Sequence, residues 1–170
     1  MSEHLVDNVE ERAAKIKLLL MDCDGVLTDG RLYFTENGEE IKVFNVKDGQ
    51  GIADWHEKGF ISGIISGRNS KAVERRAKEL GIKYIKQGSK DKIKDFEDIL
   101  ADSNVSAEET AYIGDDLPDI QILKLVGLAV AVADSEKTLF EHSHIKTSKH
   151  GGYGAVRETI NLIFKIKLLK

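Results

Sequence analysis

The chain is sparing in the residues that would staple, span or stiffen it. Its 170 residues hold one cysteine and one proline, with no internal repeat and no low-complexity linker. A lone cysteine excludes an intramolecular disulfide and suits a reducing compartment, so a cytoplasmic location is expected. No run is apolar enough to predict a membrane span, and acidic residues stand near the N-terminus where a signal peptide would be basic and then apolar. Lys and Arg number 25 against 29 Asp and Glu, a net charge of −4, which leaves no basic footprint for nucleic acid. Cys23 is read as a small apolar core residue rather than a nucleophile. The single proline, Pro118, falls inside an acidic cluster, Gly114-Asp115-Asp116-Leu117-Pro118-Asp119.

The length suits one domain with a real core, here taken as residues 1–170. Near-continuous apolar runs at Leu18–Met21, Phe60–Ile65 and Thr110–Ile113 read as strands covered on both faces of a parallel sheet, with further strands near Lys83–Ile85, Gly127–Ala133 and His144–Lys146. Helical periodicity lies between them, over Asn69–Leu80, Asp91–Ala101 and Tyr153–Leu168, and the charged N-terminal segment reads as a solvated helix. Strand–helix alternation of this kind predicts an α/β fold, a doubly wound, Rossmann-like open parallel sheet. One segment breaks the alternation. Two period-two runs flank Asn37-Gly38, which predicts a β-hairpin over residues 31–45, and two strands alone need something to pack against, such as another subunit.

The first strand ends in Asp22-Cys23-Asp24-Gly25. Side chains two apart on a strand share a face, so two like charges crowd one spot unless a cation or a chemical task occupies them. In open α/β sheets ligands bind beyond the carboxyl ends of the strands. Those ends deliver Asp22 and Asp24, Ser66-Gly67-Arg68, Ser89 to Lys92, and Asp115 and Asp116 with Asp119 just beyond. Asp22, Asp24 and Asp115 make a hard-oxygen site suited to Mg²⁺ and a substrate phosphate. Ser66 and the Gly67 N–H are placed to hold phosphoryl oxygens, and Lys92 to neutralise remaining charge.

These four motifs, in order and at strand ends, resemble the haloacid dehalogenase superfamily of phosphotransferases. The resemblance implies that Asp22 is the nucleophile that forms an aspartyl-phosphate, and Asp24 the general acid and base. It also implies that Asp24 ligates Mg²⁺ through its backbone carbonyl, that Asp115 is the main acidic ligand, and that Asp116 and Asp119 steady the metal shell. Narrower features are the missing large cap domain, Asn45-Val46-Lys47-Asp48-Gly49-Gln50-Gly51, and the tail His150-Gly151-Gly152-Tyr153-Gly154 opening the 148–170 segment. They resemble the phosphatases of 3-deoxy-D-manno-octulosonate 8-phosphate (KDO 8-phosphate). That family implies a magnesium-dependent homotetramer serving lipopolysaccharide synthesis, with hairpins in a central barrel and each active site completed by a neighbouring subunit. Arg68 would then suit the sugar acid's carboxylate, and Asp48 becomes a candidate substrate-binding residue. A nine-carbon sugar-acid 9-phosphate is the alternative substrate. From another class, a phospho-accepting receiver domain is the alternative, although receivers lack Asp-x-Asp on the first strand and have no use for a hairpin.

Plainer readings stand beside these. Ser66 reads also as a helix cap, Lys92 as a surface lysine, Arg68 as a partner of Glu74 and Asp48 as the cap of the next helix. His142 and His144 read as surface-loop residues. The glycine-rich segment after His150 either folds over an active site or simply leads into the last helix.

Overall fold

The computed structural model describes residues 3–169. In chain order the elements are α1 (Glu3–Lys15), β1 (Leu18–Met21), β2 (Tyr33–Phe34), β3 (Glu40–Ile41), α2 (Val46–Glu57), β4 (Ile61–Ile65), α3 (Lys71–Glu79), β5 (Tyr84–Lys86), α4 (Lys92–Ser103), β6 (Thr110–Gly114), α5 (Ile120–Leu123), β7 (Leu128–Ala131), β8 (Ile145–Lys146) and α6 (Ala155–Leu168). Six strands form one parallel sheet in the order β5-β4-β1-β6-β7-β8. The chain moves outward from β1 through β4 to β5, then returns to β1's other side with β6. The topological switch point therefore lies between β1 and β6, where such sheets bind ligands.

β1 shows why the sheet is covered on both faces. Its four residues are all buried, and they alternate between two cores. Leu19 and Met21 pack with Ile52, Trp55, Val73, Val156 and Ile160, so α1, α2, α3 and α6 cover that face. Leu18 and Leu20 pack with Phe96, Ile99, Ile122 and Leu123 of α4 and α5 on the other. Each such side chain contributes about 1.5–3 kcal/mol on burial. The N-terminal helix is not simply solvated, because Ala13 is fully buried and Val9 and Ala14 pack on the first core.

The hairpin is present but shorter than its apolar pattern suggested, two residues per strand, with Tyr33 opposite Ile41 and Phe34 opposite Glu40. Its turn is not a two-residue Asn-Gly turn. Thr35 N–H bonds to Glu39 C=O at 2.9 Å and Gly38 N–H to Thr35 C=O at 2.9 Å, with Gly38 alone at positive φ (+81°). That is a three-residue loop whose last position only glycine adopts without strain. Among the described residues no helix is long and apolar enough to cross a membrane.

Candidate active site

The register Met21 to Ile113 brings the ends of β1 and β6 side by side, and Asp22 N–H continues the ladder by bonding to Ile113 C=O at 3.0 Å. Asp22 and Asp115 thus leave adjacent strands at the switch point, above a cleft of about 750 Å³. Ser66, Gly67, Arg68, Lys92 and Asp116 line the same cleft. One oxygen from each of Asp22, Asp115 and Asp119 lies within 4.8 Å of the others.

Lys92 opens α4, where Asp91 caps the helix by accepting from the N–H groups of Ile93 and Lys94, both at 3.1 Å. Its ammonium donates to Asp22 Oδ2 at 2.9 Å and to Asp119 Oδ1 at 2.8 Å. Asp119 is fully buried and its oxygens are occupied: it also accepts from the Tyr112 hydroxyl at 2.8 Å and from Asp115 N–H at 3.0 Å. It ties Lys92, β6 and the acidic loop together. Asp116 is exposed and caps the short turn after it through Leu117 N–H at 2.8 Å.

Three carboxylates face one ammonium, so two negative charges stay uncompensated. Asp115 Oδ1 is buried with no hydrogen-bond partner, an arrangement that calls for an explanation in a native protein. Burial first, then the charges of Asp22 and Asp119, push the Asp115 carboxyl up to about 8. Burial and Asp119 raise Asp22 to about 6, against the pull of Lys92. A hard divalent cation between Asp22 and Asp115 would satisfy the orphaned oxygen and remove both penalties, so the donor set fits Mg²⁺. Gly25 makes room for it: at φ +85°, a Cβ on this residue would stand 2.0 Å from Asp115 Oδ2.

Asp24 does not join that cluster. The strand stops at Met21, and the chain turns so that Cys23 C=O accepts from the N–H groups of Val26, Leu27 and Thr28. Strand alternation therefore does not carry to Asp24. Its carboxylate faces the hairpin instead, where Lys42 donates to Oδ1, and Arg68 Nε stands 3.6 Å from Oδ2. Burial works against Lys42's charge, but the bonds to Asp24 and Glu40 outweigh it and hold the ammonium above its usual value. Cys23 is buried between the two acids; burial and then Asp24 raise its thiol far out of reach of ionisation, so it is no nucleophile.

Ser66 is 3% exposed at the cleft wall, with Oγ 3.4 Å from Arg68 N–H. Arg68 pairs with Glu40 at 2.7 Å rather than with Glu74. Asp48 is corrected: it is 1% exposed within α2 and does not line the cleft. Its carboxylate accepts from Gly154 N–H at 3.2 Å and Arg157 N–H at 2.9 Å, so it caps α6, while Asn45 caps α2 through Lys47 N–H at 2.8 Å. A buried acid in a polar motif looks like a ligand in sequence, but here it serves orphaned helix donors. The glycine-rich tail likewise backs the loop after Asp24, through Gly152 N–H to Val26 C=O at 2.9 Å, and no residue of 148–158 lines the chain's own cleft.

Residue-type reasoning missed Lys42, Glu40 and Tyr112. The first two carried a signal, since they alternate on one side of the hairpin strand that follows the acid pair. Tyr112 sits in an apolar run and carried none.

Comparisons with known proteins bear on the family and the fold. The sequence model of the haloacid dehalogenase-like hydrolases matches residues 39–127. A 3-deoxy-D-manno-octulosonate 8-phosphate phosphatase of Yersinia pestis is 45% identical over 159 residues, covering 94% of this chain and 85% of that protein. A crystal structure of that phosphatase from Yersinia pestis superposes with a TM-score of 0.93, 45% identity, and coverage of 95% of this chain and 87% of that one. The Moraxella catarrhalis phosphatase of the same name, solved with a magnesium ion, a phosphate ion and a KDO molecule, gives a TM-score of 0.92 at 40% identity, covering 95% and 93%. The receiver alternative falls with these matches. The chain belongs to the haloacid dehalogenase-like hydrolases, within the family of 3-deoxy-D-manno-octulosonate 8-phosphate phosphatases.

Proposed function

We propose that this chain is a magnesium-dependent phosphoric monoester hydrolase that converts KDO 8-phosphate to the free sugar acid and phosphate, in lipopolysaccharide precursor synthesis. The observation that carries the reading is the orphaned Asp115 oxygen beside Asp22 at the switch point, in a fold shared with a relative that holds magnesium, phosphate and KDO. Asp22 and Asp115, with the Asp24 carbonyl, would hold Mg²⁺, and Asp116 and Asp119 would steady that shell. The ion, when bound, neutralises the repulsion between carboxylates and phosphate dianion.

The chain's own groups do the rest. Ser66, the Gly67 N–H and Lys92 hold the phosphoryl oxygens, and the Lys92 ammonium already rests on Asp22. The Asp22 carboxylate attacks phosphorus, and Asp24 gives a proton to the departing sugar oxygen. Asp24 then takes a proton from water, whose oxygen attacks the aspartyl-phosphate and releases phosphate. The cleft-lining Arg68, half exposed, is the group for the sugar acid's carboxylate, which a guanidinium binds well.

Assembly and location extend the reading. Leu32, Phe34, Ile41, Val43 and Val46 are exposed on and beside the hairpin, an apolar surface consistent with a homotetramer whose neighbouring subunits complete each site. One buried cysteine suits a cytoplasmic enzyme. The test is a phosphatase panel of KDO 8-phosphate, a nine-carbon keto-deoxy sugar-acid 9-phosphate and generic sugar phosphates, with and without magnesium. A marked preference for KDO 8-phosphate that disappears with chelator is expected. A flat profile would remove the substrate assignment, and chelator-insensitive turnover the metal.

A further inference from the structure

The hairpin's second strand and its continuation alternate in environment. Ile41 and Val43 are about half exposed, at 48% and 55%, whereas Glu40 and Lys42, one step out of phase, turn to Asp24 and Arg68 at the cleft's edge. The Lys42 side chain is only 2% exposed; its ammonium donates to Asp24 Oδ1, with Glu40 Oε1 3.3 Å away. The same Glu40 oxygen accepts from Arg68 Nη2 at 2.7 Å, and Arg68 Nε closes the ring at 3.6 Å from Asp24 Oδ2. Two cations and two carboxylates alternate, and each Asp24 oxygen faces a different cation. The two contacts are unequal, since the Arg68 side chain is 47% exposed and its contact with Asp24 is the looser one. Immobilising a lysine stem costs up to about 2 kcal/mol of rotamer entropy, and an exposed two-residue hairpin gains little stability in return.

We propose that Lys42 is a positioning residue for the hydrolytic half of the reaction, fixing the Asp24 carboxylate where it meets the attacking water. This rests on the reading of Asp24 as the proton-transfer group. In that step the water oxygen bonds to phosphorus and its proton passes to Asp24. The bond from phosphorus to the Asp22 oxygen breaks, which returns the Asp22 carboxylate and releases inorganic phosphate. Without Lys42 the carboxylate has only the looser Arg68 contact and swings away from the water. The hairpin thereby contributes to the chemistry from inside the subunit, separately from whatever its apolar side packs against.

Magnesium-loaded enzyme with p-nitrophenyl phosphate isolates this half, because nitrophenolate departs without needing a proton. Lys42→Met is expected to lower kcat at least about tenfold while kcat/KM stays within about threefold of wild type. A nitrophenolate burst approaching one per site should precede the slow phase, and Lys42→Arg should recover most of kcat. A loss of folded enzyme or a detached hairpin would lower kcat and kcat/KM together and shrink the burst. That result, or unchanged turnover in Lys42→Met, overturns the proposal. Asp24→Asn separates the two failures. If it bursts and Lys42→Met does not, the role of Lys42 is wrong; if it turns over at the wild-type rate, the reading of Asp24 falls and takes the proposal with it.

Discussion

Gly25→Ala is the substitution that most directly tests the metal geometry. Two penalties are superposed at this position. A side chain at φ +85° carries left-handed backbone strain of roughly 1–2 kcal/mol. Its Cβ would also fall 2.0 Å from Asp115 Oδ2 and 2.5 Å from Asp115 Cγ, so the carboxylate must rotate out of the cluster. Gly59 separates the two, having φ +82° and nothing within 4 Å of an added Cβ. Gly59→Ala should therefore cost only the strain, about 1 kcal/mol or roughly 2–4 °C for a chain of this size, with magnesium binding unchanged. Gly25→Ala should show a similar or larger loss and, in addition, weaken magnesium binding at least about 10- to 100-fold, the range seen when even the supports of metal ligands are lost. Calorimetric titration with Mg²⁺ and thermal melts with and without the ion give both quantities. If Gly25→Ala binds magnesium like wild type and melts like Gly59→Ala, Asp115 is not a ligand and the account of the orphaned oxygen is wrong.

Three further outcomes are expected. Asp115's carboxyl, pushed up to about 8 by burial and by Asp22 and Asp119, gives stability that is full below its unfolded value of 3.8 and is lost as pH climbs through about 8. Metal-free protein should thus melt progressively lower from pH 6 to 9, while magnesium binding tightens and releases protons, measurable by titration in two buffers; pH-independent affinity would contradict it. Asp22→Asn should abolish turnover yet raise the melting temperature of metal-free protein at pH 8, because ionising a group held at about 6 costs up to about 3 kcal/mol; a lower melt would refute the repulsion argument. Asp48→Ala leaves the Gly154 and Arg157 N–H groups without their acceptor, at about 2–4 kcal/mol, and should lower the melting temperature by roughly 5–15 °C with KM unchanged. A raised KM with an unaltered melt would return Asp48 to the substrate.

Much of this molecule was legible before folding. β1 is bounded as its apolar run predicts, and β4, β6 and β7 agree to within a residue or two at their ends, because strands buried on both faces leave an unbroken hydrophobic signature. That Asp22, Ser66, Lys92 and Asp115 share one cleft was legible because parallel strands all empty at one edge, so polar residues that follow apolar runs meet there. The apolar alternation of the hairpin was readable too, though not its turn, since Asn37-Gly38 is compatible with more than one loop and only the paired strands choose between them.

What the sequence alone determined is the ordered set of strand ends and therefore the chemistry that converges on the switch point. What only the tertiary structure decided is which neighbour each acid meets. Asp24, two residues from Asp22, leaves the acid cluster for Lys42 because the chain turns once the strand ends. Asp48 goes to α6 and Asp119 to Lys92 and Tyr112, because a buried carboxylate must find donors and the nearest ones come from elements distant in sequence. Residue type states that an acid needs a partner; packing alone states who that partner is.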